Sequence, residues 1–153
     1  MKHIALPLLL GVALPALADR LPLPADTPAS YAAECGSCHL AYPPALLSAG
    51  DWRRVMAGLD DHFGSDAAVD AQKRQEITTF LEPHAGNAGK LGSAGDPPRI
   101  SATARFIRKH REVPTRLWHD PRVKSAANCE ACHRGAIEGN YSEHDIAIRE
   151  LKR

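Results

Sequence analysis

Apolar residues between positions 48 and 64 recur at three- and four-residue spacing. Trp52, Val55, Met56, Leu59 and Phe63 share one face, which predicts an amphipathic helix capped by Ser48 or Asp51 and closed by Gly64. His62 lies on that face, one turn beyond Leu59. A further helix is expected from about Asp70, carrying Ile77, Phe80 and Leu81 until Pro83 disturbs it. Upstream, Thr27 reads as an N-cap with Pro28 at the first helical position, opening a helix through Tyr31 that ends at two cysteines, Cys35 and Cys38. The following Leu40-Ala41-Tyr42-Pro43-Pro44 cannot continue as regular helix. Downstream, Ser101 can cap a helix with Phe106, Ile107 and His110 on one side, stopped by Pro114, and Trp118-His119-Asp120-Pro121 is a turn leading to Cys129. No stretch alternates at strand period, so the expected class is mostly α.

Composition shifts divide the chain. Residues 1–18 combine Lys2, an apolar run from Ile4 to Leu17 and a small-residue cleavage site at Ala16-Leu17-Ala18, the pattern of an export signal peptide. Pro7, Gly11 and Pro15 interrupt that run, which is shorter than the roughly 20 residues of a spanning helix. No later stretch is apolar enough to insert stably in a membrane. Residues 87–98, rich in Gly and Pro with little to bury, read as a linker between an N-terminal lobe over 19–86 and a C-terminal lobe over 99–153. Charge divides similarly. From Asp19 to Gly86 there are ten Asp and Glu against five Lys and Arg, and from Asn87 to Arg153 eight against thirteen. Such polarity can orient docking to a partner, or the arginines can offset buried anionic groups. No basic run with interleaved aromatics suggests nucleic-acid binding.

The most specific signals are two pentapeptides, Cys35-Gly36-Ser37-Cys38-His39 and Cys129-Glu130-Ala131-Cys132-His133. In a Cys-x-x-Cys-His run the two thiols form thioethers with the vinyl groups of a haem, and the adjacent histidine ligates its iron. Zinc ribbons also pair such motifs, but at about 15 to 20 residues, whereas these lie in opposite halves of the chain. All four cysteines belong to the motifs, leaving none for disulfides in an oxidising compartment. The chain has only eight Phe, Trp and Tyr residues, so two porphyrins would supply much of its flat apolar surface. The protein freed of haem is therefore expected to be largely unfolded.

With His39 and His133 in the fifth coordination positions, the chemistry turns on the sixth. A filled position favours outer-sphere electron transfer; an open one admits oxygen, nitric oxide or peroxide. After export Met56 is the only methionine, and it sits in an apolar stripe where gap-filling is the usual role. Among the remaining histidines, His62 is favoured for the first haem and His110 for the second, because each sits among large apolar residues of its own lobe. His84, His119 and His144 stay as alternatives. Two imidazoles per iron imply low potentials. The leading expectation is an electron relay rather than an enzyme; the competing one is a haem enzyme or gas-binding cytochrome with one open iron, such as a small peroxidase or nitric-oxide-handling protein.

These residues resemble the small periplasmic DHC-type dihaem cytochromes c. The resemblance runs through Glu34 to Pro44, the Trp52 to Gly64 segment ending His62-Phe63-Gly64, Arg108-Lys109-His110, and Ala127-Asn128 leading into Cys129 to His133. It implies two bis-histidine haem c groups in two small cytochrome c-like lobes, with His62 and His110 as distal ligands. It also implies electron transfer with other redox proteins in the periplasm. In some relatives the partner is a high-spin, oxygen-binding cytochrome c; in others a membrane cytochrome b feeds electrons in.

Overall fold

The computed structural model describes residues 19–148, so the signal peptide expected over residues 1–18 lies outside the described part. Six α-helices follow one another with short 3-10 turns between: α1 Ala29–Cys35, α2 Ala49–Ala57, α3 Ala71–His84, α4 Ala88–Leu91, α5 Ala104–Lys109 and α6 Thr115–Trp118. Extended pairing among the described residues is confined to isolated bridges, Arg20 with Asn140, His62 with Ser65 and His133 with Ile146. The class is mostly α, as the periodicity indicated.

Two apolar clusters form. In the larger, α2 and α3 pack together and α1 crosses α3, burying Tyr31, Leu47, Trp52, Met56, Leu59, Ile77, Phe80 and Leu81. The three- and four-residue spacing of Ile77, Phe80 and Leu81 puts all three on the face of α3 that meets Tyr31, whose ring lies 5.1 Å from that of Phe80. Met56 is a core residue here, 4 % exposed. The smaller cluster holds only Leu117, Val123 and Ile148, with Val113, Trp118, Cys132 and Ile146 against it.

Helix boundaries shift for identifiable reasons. Asp70 caps α3 by accepting from Lys73 N at 2.8 Å, and Pro83 is accommodated in the last turn, so the helix runs one residue past it. Ser48 caps α2 as expected, but α2 stops at Ala57 rather than running to Gly64. Gly58 is a poor helix former, and Asp61 draws the chain into a local turn by accepting from Gly64 N at 3.1 Å. Leu59 still reaches the core, from a 3-10 turn. Thr27 does not cap α1; its hydroxyl donates to Pro24 O at 2.6 Å, and the helix starts after Pro28. The cap of α5 is Thr103, not Ser101. Its buried hydroxyl accepts from Phe106 N at 3.1 Å and donates to Ile100 O at 2.8 Å. That helix ends at Lys109 with His110 as its C-cap, short of Pro114.

The Gly/Pro-rich segment 87–98 is not bare of packing. It contains α4, and Leu91 and Ala94 are buried, Ala94 within the larger core. The first described residues also reach across the molecule. Leu21 N donates to Gly139 O at 2.7 Å, Tyr141 N donates to Asp19 O at 2.9 Å, and Lys109 pairs with Asp19 at 2.9 Å. Gly139 has φ +70°, and a Cβ there would lie 2.4 Å from Pro22, so only glycine permits this close approach.

One stabilising contact in the larger core can be isolated. Trp52 Nε1 donates to Pro44 O at 2.7 Å in a buried setting, tying α2 to the turn after the first Cys-x-x-Cys-His run. Trp52→Phe removes that bond while Pro44 O keeps Leu47 N as a donor at 3.3 Å, and is expected to lower unfolding free energy by about 0.5–1.5 kcal/mol in urea denaturation. An unchanged midpoint would remove the bond from the forces holding this turn.

Candidate functional site

Each pentapeptide histidine faces one other histidine. The rings of His39 and His62 have centroids 6.2 Å apart, and those of His110 and His133 are 6.1 Å apart. Two imidazoles each about 2 Å from a shared metal atom have centroids roughly 6 Å apart, since each centroid sits about 1 Å behind its nitrogen. Both pairs therefore leave the gap one iron requires. The ring planes differ: 31° between His39 and His62, 90° between His110 and His133.

The chain presents these rings by different means. Cys35 ends α1, and Cys38 and His39 follow in its turn. His39 Nδ1 is bonded to Leu40 O at 2.8 Å, leaving its Nε2 for a metal. His62 is not on a helix face. It opens a tight turn in which His62 N donates to Ser65 O at 2.8 Å and Ser65 N returns to His62 O at 3.2 Å. Phe63 and Gly64, at φ 57° and 88°, occupy its two left-handed positions. Glycine suits the second, whereas Phe63 costs on the order of 1 kcal/mol of backbone strain there.

At the second site a 3-10 turn over Cys129–Ala131 presents Cys132 and His133. Opposite stands His110, the C-cap of α5, with Nδ1 bonded to Phe106 O at 2.8 Å. The Phe106 ring stacks on His110 at 3.9 Å, and Trp118 lies 5.9 Å from His110. Phe106, Ile107, His110, Arg111 and Trp118 line an open cavity of about 330 Å³. His133 Nδ1 is buried without a hydrogen-bond partner.

Electrostatics favour neutral rings. Burial lowers the pKa of His62, with His39 and Arg99 adding to the effect. Burial likewise lowers His110, and lowers His133, where His110 contributes. A neutral imidazole is the form that binds a metal. Burial also pushes the Cys35 and Cys129 thiols up to about 11, away from the thiolate that zinc or dithiol exchange needs. Among the described residues no three His, Cys, Asp or Glu side chains gather as a metal cage.

The other histidines stand elsewhere. His84 Nε2 lies 3.0 Å from Asp26, and its ring packs at 5.1 Å on Phe80. His119 and His144 are exposed, and neither makes a ring contact with His39 or His133. Two exposed apolar side chains adjoin the facing histidines instead: Phe63, 39 % exposed and 4.8 Å from His62, and Ile107, 59 % exposed on the rim of the second cavity. A flat apolar group at each site is what such residues would cover, so the side chains present fit a porphyrin. The periodicity had assigned Phe63 to the core; its left-handed turn points it outward.

Sequence reasoning missed several neighbours. Tyr42 stacks on His39 at 4.7 Å, Arg99 sits 3.9 Å over the Phe63 ring, and Tyr141 lies edge-on to His133 at 5.5 Å. Only Tyr42, three residues after its histidine, carried a local signal.

Two covalent-attachment motifs, each with a second imidazole across from it on a mostly helical frame, define a c-type cytochrome with two haems. The chain belongs to the dihaem cytochrome c family, whose model matches residues 31–141. It is similar to the diheme cytochrome type c of Shewanella baltica OS155, with 40 % identity and a TM-score of 0.70 over 82 % of this chain and 95 % of that one. It is also similar to the DHC purified from Rhodobacter sphaeroides, with 41 % identity and a TM-score of 0.65 over 74 % and 96 %. Comparison with curated protein sequences gave no significant match. The cofactors are accordingly two haem c groups, and iron is the metal. Among the described residues no helix is long and apolar enough to cross a membrane.

Proposed function

We propose that this protein is an exported electron-transfer cytochrome whose two irons are each held between two imidazoles, His39 with His62 and His133 with His110. Cys35 and Cys38, and Cys129 and Cys132, supply the thioethers. The observation that carries the reading is the pair of imidazole separations, 6.2 and 6.1 Å, each suited to one metal atom and too tight for an added exogenous ligand. Bound haem supplies a one-electron ferric–ferrous couple, of low potential when both axial ligands are histidine.

The protein's own residues keep that chemistry to electrons. Leu40 O and Phe106 O each fix one ring of a pair, which holds ring orientation through a redox cycle. Partial burial favours the neutral form of His62, His110 and His133, which is the form that stays on a metal. Export rests on residues 1–18, and the natural partners are other redox proteins. The net positive C-terminal part offers an acidic partner a docking face, so reduction or oxidation rates are expected to fall as salt rises.

Spectroscopy of the purified protein tests the reading. Both haems should be low-spin when oxidised and should bind no carbon monoxide when reduced. They should also give two distinct low-spin electron paramagnetic resonance signals. Rings near coplanar split the two iron d orbitals that overlap the imidazole π systems, whereas perpendicular rings leave them nearly degenerate. The 90° pair should therefore give the more anisotropic signal. A high-spin fraction that binds carbon monoxide would overturn the relay in favour of an open iron.

A further inference from the structure

All three tyrosines of the chain gather between the two Cys-x-x-Cys-His runs. Tyr42 stacks nearly parallel on His39, at 4.7 Å and 21°. Its hydroxyl crosses to the other half of the molecule and donates to Ala127 O at 2.6 Å. That carbonyl also accepts from Cys129 N at 3.1 Å. Tyr31, fully buried in the larger core, donates its hydroxyl to Tyr42 O and holds the Tyr42 backbone in place. Tyr141 completes the cluster against His133, at 5.5 Å.

We infer that Tyr42 is the bridge between the two haem sites, joining the ring of His39 to the main chain of the Cys129 motif through one stacking contact and one hydrogen bond, and so setting how fast electrons exchange between the irons. The inference rests on the relay reading above. The step is a single electron transfer: one ferrous iron becomes ferric, the ferric iron at the other site becomes ferrous, no bond forms or breaks, and no proton moves. The first electron comes from a one-electron donor protein, or in the laboratory from a substoichiometric chemical reductant. Tyr42 acts through His39 and the main chain at Cys129, so it is a positioning residue.

Its hydroxyl can be removed while its ring stays. In Tyr42→Phe the stack on His39 is retained and the bond to Ala127 is lost; in Tyr42→Leu both are lost. The measurement is exchange spectroscopy on the haem-methyl proton resonances of the full haem-loaded protein, reduced by one electron equivalent. The concentration-independent part of the exchange is the intramolecular rate. Pulsed electron paramagnetic resonance on the oxidised protein gives the iron–iron distance. Tyr42→Phe should slow intramolecular exchange severalfold, and Tyr42→Leu further, with both irons low-spin and their separation unchanged. An unchanged rate in both variants overturns the bridge. So does slowing that appears only together with a longer iron–iron distance, because the residue would then be a spacer. A high-spin iron in the unaltered protein would instead defeat the relay reading itself and this inference with it, and it is seen before any variant is made.

Discussion

His110→Ala is expected to turn one of the two haems high-spin and leave the other low-spin, so that the reduced variant binds one carbon monoxide per protein. His62→Ala should do the same at the other haem. The expectation follows from how each ring is isolated. His110 is fixed by Phe106 O and boxed by Phe106 and Trp118; His62 is fixed in a turn closed on both sides by Ser65. No spare imidazole stacks on either pair, since His84 is held at Asp26 and His119 and His144 are exposed without a ring contact to His39 or His133. Visible absorption and electron paramagnetic resonance check it directly. A variant that stays wholly low-spin would show that its missing histidine was not a ligand. The lost low-spin signal also assigns the spectra, because His110→Ala should remove the signal of the perpendicular pair and His62→Ala the other.

Loss of the second haem should have the largest structural effect. In Cys129→Ala/Cys132→Ala the C-terminal part keeps only Leu117, Val123 and Ile148 as a buried cluster, and its helices α5 and α6 are six and four residues long. Isolated helices shorter than about 12 residues are marginal in water. These three side chains, with Ala136 buried apart from them, cannot offset the ordering entropy of the segment around them. Amides from 104 to 148 should lose hydrogen-exchange protection, whereas those of α2 and α3 keep theirs, because nine buried residues hold that core without help from the second site. Retained protection over 104–148 would show that the apolar cluster suffices without porphyrin. This refines the expectation of a largely unfolded haem-free chain into an asymmetric one.

How much of this was legible in the sequence depended on how local the determining physics is. The haem motifs are covalent and contiguous, so their chemistry can be read from five residues. The pairing of His62 and His110 with His39 and His133 was approached through apolar surroundings, and the structure brings those rings together, although His62 does so from a turn. Its helix was overextended because the apolar period continues through Leu59 even though the backbone does not; Gly58 and the Asp61 side chain decide the geometry, and periodicity does not weigh them. Thr103 displaced Ser101 as a cap for a similar reason: two plausible hydroxyls lie two residues apart, and only the burial of Thr103 with its bond to Ile100 O selects one. The contacts of Tyr42 with Ala127 and of Trp118 with His110 were illegible. The first spans 85 positions and the second joins separate helices, and neither leaves a mark in spacing.

The backbone bonds from Asp19 and Leu21 to Tyr141 and Gly139 make the described chain nearly a closed ring. The backbone partners of Asp19 and Leu21 lie about 120 positions further on, and closing so long a loop carries an entropic cost that contacts near in sequence do not. Closure by these bonds is expected to follow the local helices. A chain cut short before residue 139 would leave Asp19 and Leu21 without these backbone partners, and that stretch would be more open to proteolysis.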